Sequence, residues 1–191
     1  AGGKHAARFL ANQGAVLVAA SDSCGTIHDP NGIDLGALIP LKDAGKAVCD
    51  YPGARRLDRD AILDIECDIW IPAARPDVVR EDNVARLKTK LVVQGANIPF
   101  TAGAEKILHQ KGVLVVPDFI ANAGGVICAA MEYRGASQAQ AFVVIEEKLR
   151  ANTKQVLDDA TKRKIPPREA ALALAGARVR KAMGWRRWSI L

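Results

Sequence analysis

The residues in this chain that could do chemistry are few, and most are small or carry an amide. Residues 115–126 (VVPDFIANAGGV) set Asp118 and Asn122 just ahead of a Gly124-Gly125 pair, after a β-branched run and Pro117. Small residues and amides where a strand ends let a flat, polar ligand come close to the backbone. Gln94-Gly95-Ala96-Asn97 repeats this pattern after one apolar run, and Ser21-Asp22-Ser23 closes another. Asn97 and Asn122 offer donors and acceptors suited to a carboxamide and a ribose; turn or cap duty is the alternative for each. Asp22 can accept from ribose hydroxyls, and its charge would oppose a 2′-phosphate. The competing reading is a carboxylate that bonds its own turn. Ser21 and Ser23 can hydrogen-bond a phosphate, so a preference for NAD leaves NADP possible.

No nucleophile or metal constellation accompanies these residues. Asp118 has no evident partner in the sequence, and Glu146-Glu147 and Asp158-Asp159 read as helix-surface charge. Cys24, Cys49, Cys67 and Cys128 are scattered without a CxxC, and His5, His28 and His109 lie far apart. That spacing argues against zinc and against a disulfide framework, and for reduced cytosolic thiols. With 49% hydrophobic and 25% charged residues among 191, the chain can bury a sizeable core. There is no secretion signal and no apolar run long enough to span a membrane, which makes the expected location cytoplasmic. The net charge of +6 gathers near the end, at Arg178, Arg180, Lys181, Arg186 and Arg187. Without a nucleic-acid-binding motif it reads as a solvated or inter-subunit helix face. Trp185 and Trp188 among these arginines read as terminal packing or a subunit contact.

The elements that must position the amides and glycines follow from alternating apolar runs. Residues 16–20, 68–71, 91–93 and 113–116 read as buried strands. Residues 4–12, 34–44, 76–88 and 102–110 read as helices, with Thr101 an N-cap and Gly112 a stop for the last of these. Near-continuous apolar strands separated by helices predict a doubly wound, Rossmann-like α/β fold with a parallel sheet. After Gly125, residues 126–133, 138–161 and 168–183 read as a helical segment, with Pro166-Pro167 between the last two. The expected division is therefore 1–125 and 126–191. Ligands of such sheets sit beyond the strands' carboxyl ends, where the amides lie. Gly2-Gly3 before Lys4-His5 reads as the tail of a G-x-G-x-x-G turn, whose helix amino end faces a pyrophosphate. The strand that should precede this turn is missing, so the expectation is the back half of a longer polypeptide.

Residues 4–7 (KHAA), 21–27 (SDSCGTI), 67–74 (CDIWIPAA), 94–97 (QGAN) and 117–126 (PDFIANAGGV) resemble the glutamate/leucine/phenylalanine/valine dehydrogenases, the glutamate-specific members most of all. The resemblance implies an oxidoreductase that deaminates an L-amino acid to a 2-oxo acid and ammonia, with hydride passing to NAD or NADP. It implies that this chain is the cofactor domain, followed by helices returning toward a substrate domain. Gly3, Ser21, Asp22, Ala73, Ala74, Asn97 and Asn122 would bind cofactor. Gly125, Val126 and Ala129 would flank substrate, with Gly124 beside them. The family's reacting lysines and aspartate belong to the earlier domain and have no counterpart here, so alone the chain should bind cofactor and catalyse little. Glutamate-specific members commonly carry Ser where Ala129 stands, which keeps a leucine-, valine- or phenylalanine-type enzyme as an alternative. A non-catalytic nucleotide-binding module is a further one. Full-length members are commonly hexamers, so the expected partners are an amino-acid substrate and further copies of the chain.

Overall fold

The computed structural model describes residues 2–185. Two compact units divide the chain, Ala1–Val113 and Leu114–Leu191. The first opens with helix α1 (Gly2–Ala11), whose Lys4 makes an ion pair with Asp43 at the end of helix α2 (Leu35–Asp43). Helix α2 starts where Asp34, in an extended conformation, turns its carboxylate back to accept from Gly36 N–H at 2.8 Å. That bond satisfies one of the amides a helix start leaves open.

Strands β1 (Ala19–Asp22), β2 (Gly25–His28) and β3 (Arg55–Leu57) form an antiparallel sheet in that order. Asp22 pairs with Gly25, and Thr26 with Leu57. This departs from the expected parallel strand over residues 16–20. Val16 is exposed, and the strand begins three residues later, carrying Ser21 and Asp22 inside it. The cause is local. Asp22 Oδ1 accepts from Cys24 N–H at 2.9 Å and reverses the chain within two residues. Gly25 completes the reversal, since a Cβ there would stand 2.6 Å from Cys49 Sγ and 3.0 Å from the Leu57 carbonyl oxygen. Ile27, Ile33, Leu38 and Val48 are buried together beneath this sheet.

Strands β4 (Cys67–Trp70) and β5 (Thr89–Val93) pair in parallel, with Trp70 opposite Val92. Trp70 meets Phe100 edge to face, ring centres 6.0 Å apart. Helix α3 (Ala102–Gln110) is capped as its sequence predicts. Thr101 Oγ1 accepts from Ala104 N–H at 3.3 Å, and Gly112 lies just past the helix at φ +78°. The helix expected over residues 76–88 does not form. Asp77 takes φ +50°, Val79 forms a parallel bridge with Phe100, and the backbone amides of Asp77 and Val79 donate to the carbonyls of Ile98 and Pro99. Donors spent on a neighbouring segment cannot also close helical turns. Val79 is fully buried by this arrangement, and only a short 3-10 turn, Val84–Arg86, follows.

The second unit holds strand β6 (Leu114–Val116), the single-turn helix α4 (Asp118–Ala121) and helices α5 (Gly124–Tyr133), α6 (Gln138–Arg163) and α7 (Pro167–Met183). A capping box opens α6: Ser137 Oγ accepts from Gln140 N–H while Gln140 Oε1 accepts from Ser137 N–H. Lys164, at φ +55°, ends it, and Pro167 is the first residue of α7. Glu146 pairs with Arg150, Asp158 with Lys154 and Asp159 with Arg163, each at i,i+4, so these carboxylates are helix-surface charge. Arg178 on α7 donates to Asn152 and Gln155 on α6. Trp185 is exposed with Lys181 over its ring, whereas Arg186, Arg187 and Trp188 fall outside the described residues. Among the described residues no helix is long and apolar enough to cross a membrane.

The α3 boundary gives a direct test. Thr101→Ala and Gly112→Ala are each expected to lower unfolding free energy by about 1 kcal/mol, through a lost cap and a strained positive φ respectively. Urea denaturation reads both; two variants with wild-type midpoints would refute the assignment of these residues as the helix boundaries.

Candidate functional site

In the first unit, three of the segments singled out by their small residues meet. A Cβ added at Gly3, in the first turn of α1, would lie 3.4 Å from Ala73 Cβ. One added at Gly95 would lie 3.5 Å from the same Ala73 Cβ and 3.4 Å from the Pro72 carbonyl oxygen. The Ala96 amide donates to that carbonyl at 2.7 Å, fastening the segment after β5 to the one after β4. The amino end of α1 therefore stands at the carboxyl ends of two parallel strands. A helix amino end at this place would offer open amides and the positive end of the helix dipole, which suits an anionic group. A methyl at Gly3 or Gly95 would only touch these neighbours, so what the three segments share is a close meeting of small residues, a donor-rich surrounding whose chemistry fits a dinucleotide pyrophosphate. Gln94 is fully buried beneath Gly95; Ala73 is half-buried, while Ala74 and Asn97 are exposed.

Asp22 is more committed than its sequence context indicates. Oδ1 accepts from Cys24 N–H at 2.9 Å, and Oδ2 accepts from Lys42 Nζ at 2.7 Å and from Val48 N–H at 2.8 Å. Lys42 also donates to the Lys46 carbonyl oxygen. Burial by itself would raise the Asp22 pKa, and it is the largest single influence. The bonds from Lys42, Val48 and Cys24 together outweigh it and hold the carboxyl below its ordinary value. The local turn duty set against a ribose contact is thus present, and Lys42 offsets the negative charge. Neither Lys42 nor Val48 was legible as a partner in the sequence, since they lie 20 and 26 residues from Asp22. Ser21 Oγ donates to the Gly25 carbonyl at 3.0 Å and keeps its lone pairs for a donor.

In the second unit, Asn122 directly follows α4 and its backbone N–H donates to the Asp118 backbone carbonyl at 2.7 Å. Gly125, Val126 and Ala129 lie on α5 and are exposed, with Val126 77% accessible. Asp118 is buried and does have a charged partner: Arg168 Nη2 donates to its Oδ1 at 3.0 Å. The partner is 50 residues away, and nothing in the sequence pairs the two. All four cysteines are free thiols, and burial pushes the Cys67 thiol up.

The Asp22 pKa has a consequence for stability. Because the folded pKa lies below the unfolded one, the unfolded state binds more protons in the interval between them. The carboxylate therefore stabilises the fold above the unfolded value, and this is lost as pH falls through the folded one. Asp22→Asn should destabilise the chain at neutral pH, and its deficit against wild type should shrink as pH falls below the ordinary carboxylate range, measured by urea denaturation. A deficit that does not change with pH would mean the charge of Asp22 is not what its partners hold.

Comparison with known proteins finds relatives over nearly the whole chain. The family model described as Glutamate/Leucine/Phenylalanine/Valine dehydrogenase matches residues 2–187. A glutamate dehydrogenase of Aeropyrum pernix is 40% identical over 196 residues, covering 97% of this chain and 47% of the relative. An NADP-specific glutamate dehydrogenase of Saccharolobus shibatae is 34% identical over 191 residues, covering 95% of this chain and 45% of the relative. Among solved structures, the hetero-hexameric glutamate dehydrogenase of Thermus thermophilus in its Leu-bound form superposes with a TM-score of 0.81 at 25% identity, covering 94% of this chain and 44% of that one. The chain thus spans about half the length of the curated relatives it matches. The fold is the expected Rossmann-like α/β arrangement with a helical carboxyl-terminal part. The match extends over almost the whole chain, which belongs to the glutamate/leucine/phenylalanine/valine dehydrogenase family.

Proposed function

We propose that this chain is the cofactor-binding part of an NAD(P)-dependent L-amino-acid dehydrogenase, with glutamate as the first substrate. The observation that carries the reading is the meeting of Gly3, Ala73 and Gly95, where the amino end of α1 stands against the ends of β4 and β5. The names of the relatives support it. When bound, the cofactor accepts the hydride. This chain's residues bind and orient it: the α1 amides toward the pyrophosphate, Ser21 and Asp22 toward the adenosine ribose, Ala73 and Ala74 along its flank, and Asn97 and Asn122 toward the nicotinamide. Gly125, Val126 and Ala129 face the amino acid, and assembly into a homo-oligomer belongs to the same reading.

NAD is the first choice of cofactor and NADP an admitted second. Asp22 favours the free ribose hydroxyls, and Lys42 at its Oδ2 tempers the repulsion of a 2′-phosphate. One observation favours a second substrate reading. The methyl of Ala129 is exposed on α5 and offers no hydroxyl to a side-chain carboxylate, which suits an apolar amino acid.

Titration of the 191-residue chain with NADH and with NADPH, followed by nucleotide fluorescence, tests the reading. Saturable binding of NADH is expected, and no binding of either nucleotide sinks the proposal. Asp22→Ala should shift the affinity ratio toward NADPH by about tenfold, as removal of the ribose-facing acid predicts. An unchanged ratio removes Asp22 from the cofactor site.

A further inference from the structure

Asp118 and Arg168 form an ion pair that the proposed cofactor chemistry does not use. Asp118 opens α4 and is buried, its side chain 10% accessible against 28% for Arg168. Arg168 sits in the first turn of α7, where a cation opposes the helix dipole. A cation at that place needs an offset, and Asp118 and Phe119 both supply one. Arg168 Nη2 donates to Asp118 Oδ1 at 3.0 Å, and its guanidinium lies 5.6 Å from the centre of the Phe119 ring. Arg168 thus grips two consecutive residues of α4.

What α4 controls is the turn into α5. Its carbonyls at Pro117 and Asp118 accept from the amides of Ile120, Ala121 and Asn122, so the single turn closes onto Asn122. Asn122 lies four residues from Asp118, on the same helical face, and Gly124 starts α5 two residues later. Four residues of helix have little stability of their own. Their placement must come from outside the segment; burial of Ile120 contributes to it, and the Arg168 guanidinium adds an oriented, charge-assisted bond to the Asp118 carboxylate.

We propose that Arg168 is a positioning residue: through Asp118 it holds Asn122 and the Gly124-Gly125 start of α5 in the arrangement that receives the nicotinamide end of the cofactor. This rests on the reading of Asn122 as a cofactor residue. It predicts a loss confined to the nicotinamide end, unlike that from general destabilisation.

The test compares NADH with ADP-ribose, which lacks the nicotinamide, as ligands of the 191-residue chain and its Arg168→Met, Arg168→Lys and Asp118→Asn variants. Arg168→Met is expected to weaken NADH binding about tenfold while ADP-ribose binding stays at the wild-type level, the scale expected for one oriented polar contact. Arg168→Lys keeps the charge without the fork and should recover part of the loss. Asp118→Asn should resemble Arg168→Met, with the double variant no worse than either single one. Amide hydrogen exchange should quicken at residues 118–126 and not along α6. Equal losses for both ligands, or no loss for NADH, overturn the proposal. If Arg168→Met fails to fold, Arg168→Lys and Asp118→Asn decide by the same comparison. A wild-type chain that binds ADP-ribose but shows no gain from the nicotinamide overturns the positioning role alone. One that binds neither ligand removes the cofactor reading together with it.

Discussion

Close approach of backbone segments is the constraint on which the first unit depends. At Gly3 and Gly95 the neighbouring atoms stand 3.4–3.5 Å from where a Cβ would be, and the side chain between them, Ala73, is a single methyl. A small side chain at Ala73 lets α1 and the segment after β5 both reach contact distance of the segment after β4. Small residues here are not neutral spacers. They trade side-chain packing, worth roughly 25 cal/mol for each Å² of apolar surface buried, for access to backbone donors. Binding sites at strand ends commonly make this exchange, because backbone amides carry partial charge without needing desolvation of a full ion.

Polar groups that are tied down define the rest. Asp22 accepts three hydrogen bonds, from an amide in its own turn, an amide at Val48 and the Lys42 ammonium, and these join the β1–β2 reversal to the segment after α2. The same carboxylate is the residue that the family resemblance assigns to ribose recognition. A group already oriented by fixed donors presents its remaining lone pair in one direction, which lowers the entropy cost of meeting a ligand. In the second unit, Arg168 bonds Asp118 at the start of the single turn that Asn122 follows. Asp22 and Asp118 are thus each carboxylates whose partners lie far along the chain and fasten a turn.

The helical part draws its regularity from local rules. The capping box at Ser137, the left-handed stop at Lys164 and Pro167 at the first position of α7 delimit helices that i,i+4 ion pairs decorate on the outside. Exposed pairs of this kind contribute little to stability. Val156, Ala160, Ala170 and Ala171 are buried, so apolar faces hold α6 and α7 together while the charges keep the other faces in water.

Much of this was legible in the residues. Thr101 and Gly112 announce their helix ends, because capping needs only a side-chain acceptor or a permitted positive φ within a few positions. The family is legible too, since its glycines, alanines and amides keep their order and spacing along the chain. Periodicity misled at residues 76–88, where Val79 spends its backbone on Phe100, and at residues 16–20, where Asp22 folds the strand into a hairpin. By itself the sequence determined the α/β class, the capped helices and the small residues available to a ligand, because these depend on interactions between near neighbours. Only the tertiary structure decided that Lys42 neutralises Asp22, that Arg168 holds Asp118 and that Gly3 meets Ala73. Those pairings join residues 20 to 70 positions apart, and they exist only once packing has brought the segments together.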